Sequence, residues 1–84
     1  MEYNKLLIEL KTCIYNVLHI HMLEEDYLIN VSYNILPRDI MYITYIVLTK
    51  NNRKIDVKKL NQIKFDITLS EYALILGKSI YEED

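Results

Sequence analysis

The spacing of apolar side chains changes period part-way along this chain, and that change limits its architecture more than any other feature. At the start, apolar residues fall at Tyr3, Leu6, Leu7, Leu10, Cys13, Ile14, Val17 and Leu18. This three-and-four spacing gathers them on one side of a helix. It predicts a helix from Asn4 to about Leu23, with the Asn4 side chain accepting from the free amides of the first turn. Ile8, Tyr15 and Met22 lie seven apart, away from that face. They form a second stripe, which either the domain itself covers or a partner meets, as in a self-associating structural subunit or homodimer.

From Tyr27 the period becomes two. Tyr27, Ile29, Val31, Tyr33 and Ile35 alternate with Asn30, Ser32 and Asn34, the pattern of a half-buried strand over 27–36. Pro37-Arg38-Asp39 reads as a turn, with proline at its second position. The segment Ile40 to Thr49 carries Met41, Ile43, Tyr45 and Val47 on one face and Tyr42, Ile46 and Leu48 on the other, which suggests a strand buried on both sides. Asn51-Asn52 supplies the next turn, because asparagine tolerates the left-handed backbone, and a third strand is expected from Arg53.

Residues 58–68 admit two patterns. Ile63, Phe65 and Ile67 alternate as in a strand, whereas Val57, Leu60 and Ile63 have helical spacing; a strand over 62–67 is preferred. Thr68-Leu69-Ser70-Glu71 is a capping box that opens a helix from Leu69 to about Glu82, burying Leu69, Tyr72, Ala73, Leu76 and Ile80. Gly77 inside it suggests a close approach to the sheet. The expected fold class is therefore α+β. An N-terminal helix, a three- or four-stranded antiparallel β-meander and a C-terminal helix form a single domain over 1–84, with both helices on one face of the sheet. A chain of 84 residues has room for one modest core.

Few kinds of chemistry are open to it. One glycine cannot build a phosphate-cradling loop of the Walker or Rossmann type. Ser32, Ser70 and Ser79 lack a nucleophile-elbow context. His19 and His21 point about 200° apart on a helix, so they do not converge on a metal ion with Cys13 or Glu24. Cys13 itself falls on the apolar face, where a thiol behaves as a small hydrophobe. No enzyme, metal or cofactor is expected. The acidic start, the lone cysteine and the lack of a long apolar run point to a cytoplasmic protein with no membrane partner.

Charge carries the remaining functional signal. Between Lys50 and Lys64, six cations (Lys50, Arg53, Lys54, Lys58, Lys59 and Lys64) stand against Asp56 alone, a net of +5. The rest of the chain carries four cations and eleven acids, a net of −7. Acids cluster at Glu24, Glu25 and Asp26 and again at Glu82, Glu83 and Asp84, the latter following a helix C-terminus where negative charge is unfavourable. Separation of this kind steers association with a charged partner. The acidic clusters suggest a small acidic inhibitor, an immunity protein, antitoxin or phage-type inhibitor that blocks a basic, nucleic-acid-processing protein. The alternative is a nucleic-acid-binding or regulatory module that uses residues 50–64, although no aromatic residue interrupts that run before Phe65.

Overall fold

The computed structural model describes residues 3–29, 32–78 and 81–82. In chain order these form α1 (Tyr3–Leu18), α2 (Pro37–Lys50), β1 (Lys54–Ile55), α3 (Val57–Gln62), α4 (Leu69–Lys78) and β2 (Tyr81–Glu82). α1 packs against both α2 and α4. The architecture is all-α, and the expected α+β fold with a β-meander is wrong. The only strand pairing among the described residues is the two-residue antiparallel contact of β1 with β2, which sets Lys54 opposite Glu82 and Ile55 opposite Tyr81. A pairing this short builds no layer, and Gly77 has no sheet to approach.

The largest correction lies at 37–50, where the expected turn and buried strand are one helix. Pro37 occupies its first turn, where a missing amide hydrogen costs nothing. The Asp39 carboxylate accepts from the Leu36 amide at 3.0 Å. The buried positions are Ile40, Ile43, Thr44, Val47 and Leu48, a regular three-and-four series. Thr44 hides this series from a hydropathy reading, because a hydroxyl stands at the centre of the buried face. The isoleucines, valine and threonines also favour strands intrinsically, but only by tenths of a kcal/mol each. Burying each large aliphatic side chain gains roughly 1.5–3 kcal/mol, so packing wins.

The end of α2 explains the Asn51-Asn52 pair. Asn52 is left-handed at φ 58°, and its amide donates to the Thr49 carbonyl at 3.0 Å while the Arg53 amide donates to Leu48 at 2.8 Å. These two bonds form a Schellman cap. The asparagine adopts the expected backbone conformation, but it terminates a helix instead of joining strands.

α1 stops at Leu18 rather than near Leu23. His19 takes φ 59° while its amide donates to the Tyr15 carbonyl at 2.8 Å, a left-handed cap that turns the chain away. The turn delivers Met22 into the core, where it is 1% exposed. The expected strand over 27–36 is a loop, with residues 30 and 31 outside the described set. Its burial also runs against the alternation: Leu28 is buried while Tyr27 and Ile29 are exposed. A single bridge joins Tyr27 to Thr68, and the Leu28 amide donates to the Ile67 carbonyl at 2.9 Å. The third strand from Arg53 shrinks to β1. The preferred strand over 62–67 is absent, and the helical spacing of Val57 and Leu60 prevails as α3, whose N-cap Asp56 accepts from the amides of Lys58 and Lys59.

The capping box at 68–71 is present. The Thr68 amide donates to Glu71 Oε1 and the Glu71 amide to Thr68 Oγ1, both at 3.2 Å. α4 buries Leu69, Tyr72, Ala73 and Leu76; Ile80 lies outside the described residues. Tyr72 donates to Thr44 Oγ1, which in turn donates to the Ile40 carbonyl at 2.7 Å. Phe65 meets the Tyr72 ring edge-on, with centroids 5.9 Å apart.

Burial pushes the Tyr72 phenol up to about 12. In the unfolded chain it titrates near 10. The protonated phenol therefore stabilises the fold fully below pH 10, and that contribution falls as pH rises to about 12, by on the order of 2–3 kcal/mol in total. Urea unfolding of the wild type and Tyr72→Phe at pH 9 and pH 11.5 will show the wild type losing more stability than the variant; equal losses would refute the assignment. Independently, His19→Gly relieves a side chain in the left-handed region and is expected to stabilise by about 0.5–1 kcal/mol. For a domain of this size that is a rise of several degrees in Tm, read by thermal circular dichroism.

Candidate functional site

Two grooves flank α2. The larger, about 720 Å³, is lined by Met41, Tyr45, Thr49, Asn52, Arg53, Lys54 and Leu60. Met41, Tyr45 and Thr49 recur every four residues and so form one stripe along α2. Asn52 and Arg53 enter through the Schellman cap, Lys54 through β1 and Leu60 through α3. Chain reversal at Asn52 thus brings cations from 53–54 alongside an aromatic ring contributed eight or nine residues earlier. Tyr45 is 56% exposed, and Tyr42, one turn away, is 57% exposed. The groove has an apolar floor at Met41 and Leu60, an aromatic wall and a cationic rim.

The basic segment is not one continuous stripe in space. Arg53 and Lys54 line this groove, while Lys50 lines the other one. Lys58 and Lys59 are exposed on α3, with Lys59 Nζ 4.0 Å from the Asp56 carboxylate. Lys64 is exposed beyond the end of α3. The i,i+3 contact of Lys59 with Asp56 is an exposed pair, which contributes little.

The acidic clusters stand apart from each other. Backbone carbonyls of Glu24 and Asp26 accept from the Ser70 and Leu69 amides, at 3.0 and 2.9 Å, so the first cluster covers the N-terminus of α4. Negative charge is favourable there. Asp26 is further committed inside its own loop, accepting from the Leu23 amide at 2.9 Å and from the Tyr33 hydroxyl at 3.0 Å. That bond to the carboxylate, with some burial and the nearby negative charge, raises the Tyr33 pKa above its ordinary value. Glu24 and Glu25 are exposed. Glu82 lies at the other end of α4, opposite Lys54 in the β1–β2 register. Glu83 and Asp84 lie outside the described residues.

The self-association stripe does not hold together either. Ile8 is 64% exposed and lines the smaller groove, of about 340 Å³, between α1 and α2. Tyr15 is flanked by two imidazoles, His21 stacked at 4.3 Å and His19 edge-on at 6.2 Å. Met22 lies in the core beyond the break at His19. Cys13 forms part of the floor of the smaller groove. Burial pushes its thiol up, with a smaller opposing effect from Lys50. Among the described residues no group of three or more histidine, cysteine or acidic side chains converges as a metal site would require, and no helix is long and apolar enough to cross a membrane.

No protein-family model matches this chain, and no curated protein or solved structure matches it. The geometry therefore carries the functional argument alone. Sequence order concealed the main component of the larger groove: Tyr45 precedes the basic run, and only the helical form of 37–50 and the cap that ends it bring its ring beside Arg53 and Lys54. A three-and-four pattern with Thr44 accepted as a core position would have revealed it.

Because Cys13 is 9% exposed with a raised pKa, its thiolate fraction near pH 8 is smaller than that of a free cysteine. Reaction with a disulfide reagent is expected to be more than about tenfold slower in the native protein than in urea. Equal rates would show that the smaller groove opens to the thiol.

Proposed function

We propose that this protein is a nucleic-acid-binding module whose working surface is the groove between α2, β1 and α3. The observation that carries this reading is the meeting of Tyr45 with Arg53 and Lys54 on one concave surface. Cations supply the attraction to phosphates that dominates affinity for any nucleic acid. An exposed aromatic ring beside them gives bases a surface to contact. The basic run lacks aromatics in sequence, but the fold supplies one, Tyr45, from α2.

The overall charge of −2 does not oppose this role. At physiological salt, exposed charges beyond about 8 Å are largely screened, so a phosphate on the rim responds chiefly to Arg53, Lys54 and their neighbours. The acid cluster at 24–26 is bonded to the opposite end of the molecule's last helix. An inhibitor or immunity role finds no such support. It needs the acids gathered on one surface, whereas the loop at 24–26 lies at the N-terminus of α4 and Glu82 lies beyond its C-terminal end, in backbone register with Lys54.

The test is a salt titration of binding to a labelled oligonucleotide. Each phosphate neutralised on a single strand contributes about −0.7 to the slope of log K against log salt concentration. Engagement of Arg53, Lys54 and one further lysine thus predicts a slope of roughly −2. Lys54→Glu is expected to weaken binding by at least about tenfold, while Lys11→Glu on α1 leaves it unchanged. Absence of any salt-dependent binding, or equal effects of the two substitutions, would exclude the groove as a nucleic-acid site.

A further inference from the structure

We infer that the groove takes single-stranded rather than duplex nucleic acid, with bases stacked on Tyr45 and Tyr42. This rests on the nucleic-acid reading above and specifies which form of the polymer fits.

Three features of the surface point the same way. First, Tyr42 and Tyr45 are three apart on α2, neighbours on one side of the helix, and more than half of each residue is exposed. Neither ring has an aromatic or hydrogen-bonding partner among the described residues. A helix surface that only had to meet phosphates would have no use for two open rings. The faces of bases, in contrast, are available for stacking in single strands and hidden in a duplex. Second, the groove floor is apolar at Met41 and Leu60, which suits the hydrophobic body of a base rather than a sugar–phosphate backbone. The cations sit at the rim, where a backbone running past stacked bases would lie.

Third, the element that would read a duplex is unsuited to it. α3, the segment 63–68 and α4 follow one another in the order of a helix-turn-helix, whose second helix normally enters the major groove with its first residues against the bases. Here the first amides of α4 are bonded to the carbonyls of Glu24 and Asp26, so that end is covered by an acidic loop. Along the helix, Glu71 and Leu74 are exposed. Carboxylate and leucine offer nothing to a phosphate backbone. The duplex-reading position is closed, whereas the Tyr42–Tyr45 face is open.

The experiment compares the full chain and three variants by fluorescence anisotropy, using a labelled oligothymidine of about 12 nucleotides and a duplex of the same length. A base stacked on an aromatic side chain contributes roughly 1–3 kcal/mol by alanine substitution, so Tyr45→Ala is expected to weaken single-strand binding about 5- to 150-fold. Tyr45→Phe keeps the ring and should retain wild-type affinity. Lys54→Glu should weaken both ligands. Tyr45 is exposed, so its truncation is not expected to unfold the chain; circular dichroism of each variant verifies this. Preference for the single strand, lost in Tyr45→Ala and kept in Tyr45→Phe, is the expected result. Equal affinity for duplex and single strand, or a Tyr45→Ala variant that binds normally while Lys54→Glu does not, would overturn the stacking inference and leave the cationic groove standing. Failure of both ligands to bind would overturn the nucleic-acid reading itself.

Discussion

The hydroxyl relay from Tyr72 through Thr44 to the Ile40 carbonyl fixes how the helices meet, and with that, which residues reach the surface. Thr44 and the hydroxyl of Tyr72 are buried together in an otherwise apolar core. In an apolar interior a hydroxyl without a partner costs about 1–3 kcal/mol, so α2 and α4 have little freedom to rotate or slide against each other once Thr44 and Tyr72 are inside. Apolar contacts alone would tolerate several registers at similar energy. Because α2 turns by 100° per residue, committing Ile40, Ile43, Thr44, Val47 and Leu48 to the core leaves Tyr42, Tyr45 and Thr49 facing outward, with Met41 packed at the edge of the core. The aromatic wall of the larger groove thus follows from the same constraint that orders the core.

Two left-handed residues do comparable work at the ends of helices. His19 stops α1 before its second apolar stripe can continue, and the reversed chain inserts Met22 and Leu28 beneath the helices. Asn52 stops α2 so that Arg53 and Lys54 emerge beside Tyr45 instead of one turn further along an axis. Neither residue is glycine. The chain's single glycine, Gly77, lies within α4, so chain reversal falls to residues that adopt this conformation at some energetic cost.

Several elements were legible in the sequence because local chemistry alone determines them. The capping box at Thr68–Glu71 and the apolar face of α1 up to Ile14 need no tertiary context. The backbone of Asn52 was likewise readable, though not its role. The long segment from Tyr27 to Thr49 was misread because alternation and three-and-four spacing coexist there, and because β-branched residues at 40, 43, 44, 46 and 47 mimic a strand. What distinguishes the two is whether Thr44 is a core position, and that depends on a hydroxyl 28 residues away. The groove was illegible for the same reason. Its cations and its aromatics occupy different segments, and only the helix-and-cap geometry of 37–53 makes them neighbours.

Charge follows a similar course. In sequence the acids and bases form separate runs, but the fold does not carry that separation over unchanged. The 24–26 cluster is drawn to the positive end of α4, a local use of negative charge that leaves its carbonyls and the Asp26 carboxylate committed. At the other end of that helix, β2 returns alongside β1 and sets Glu82 against Lys54. The acids at 24–26 and Glu82 thus come to opposite ends of one helix, so a run of like charge in the sequence does not become one charged face of the fold.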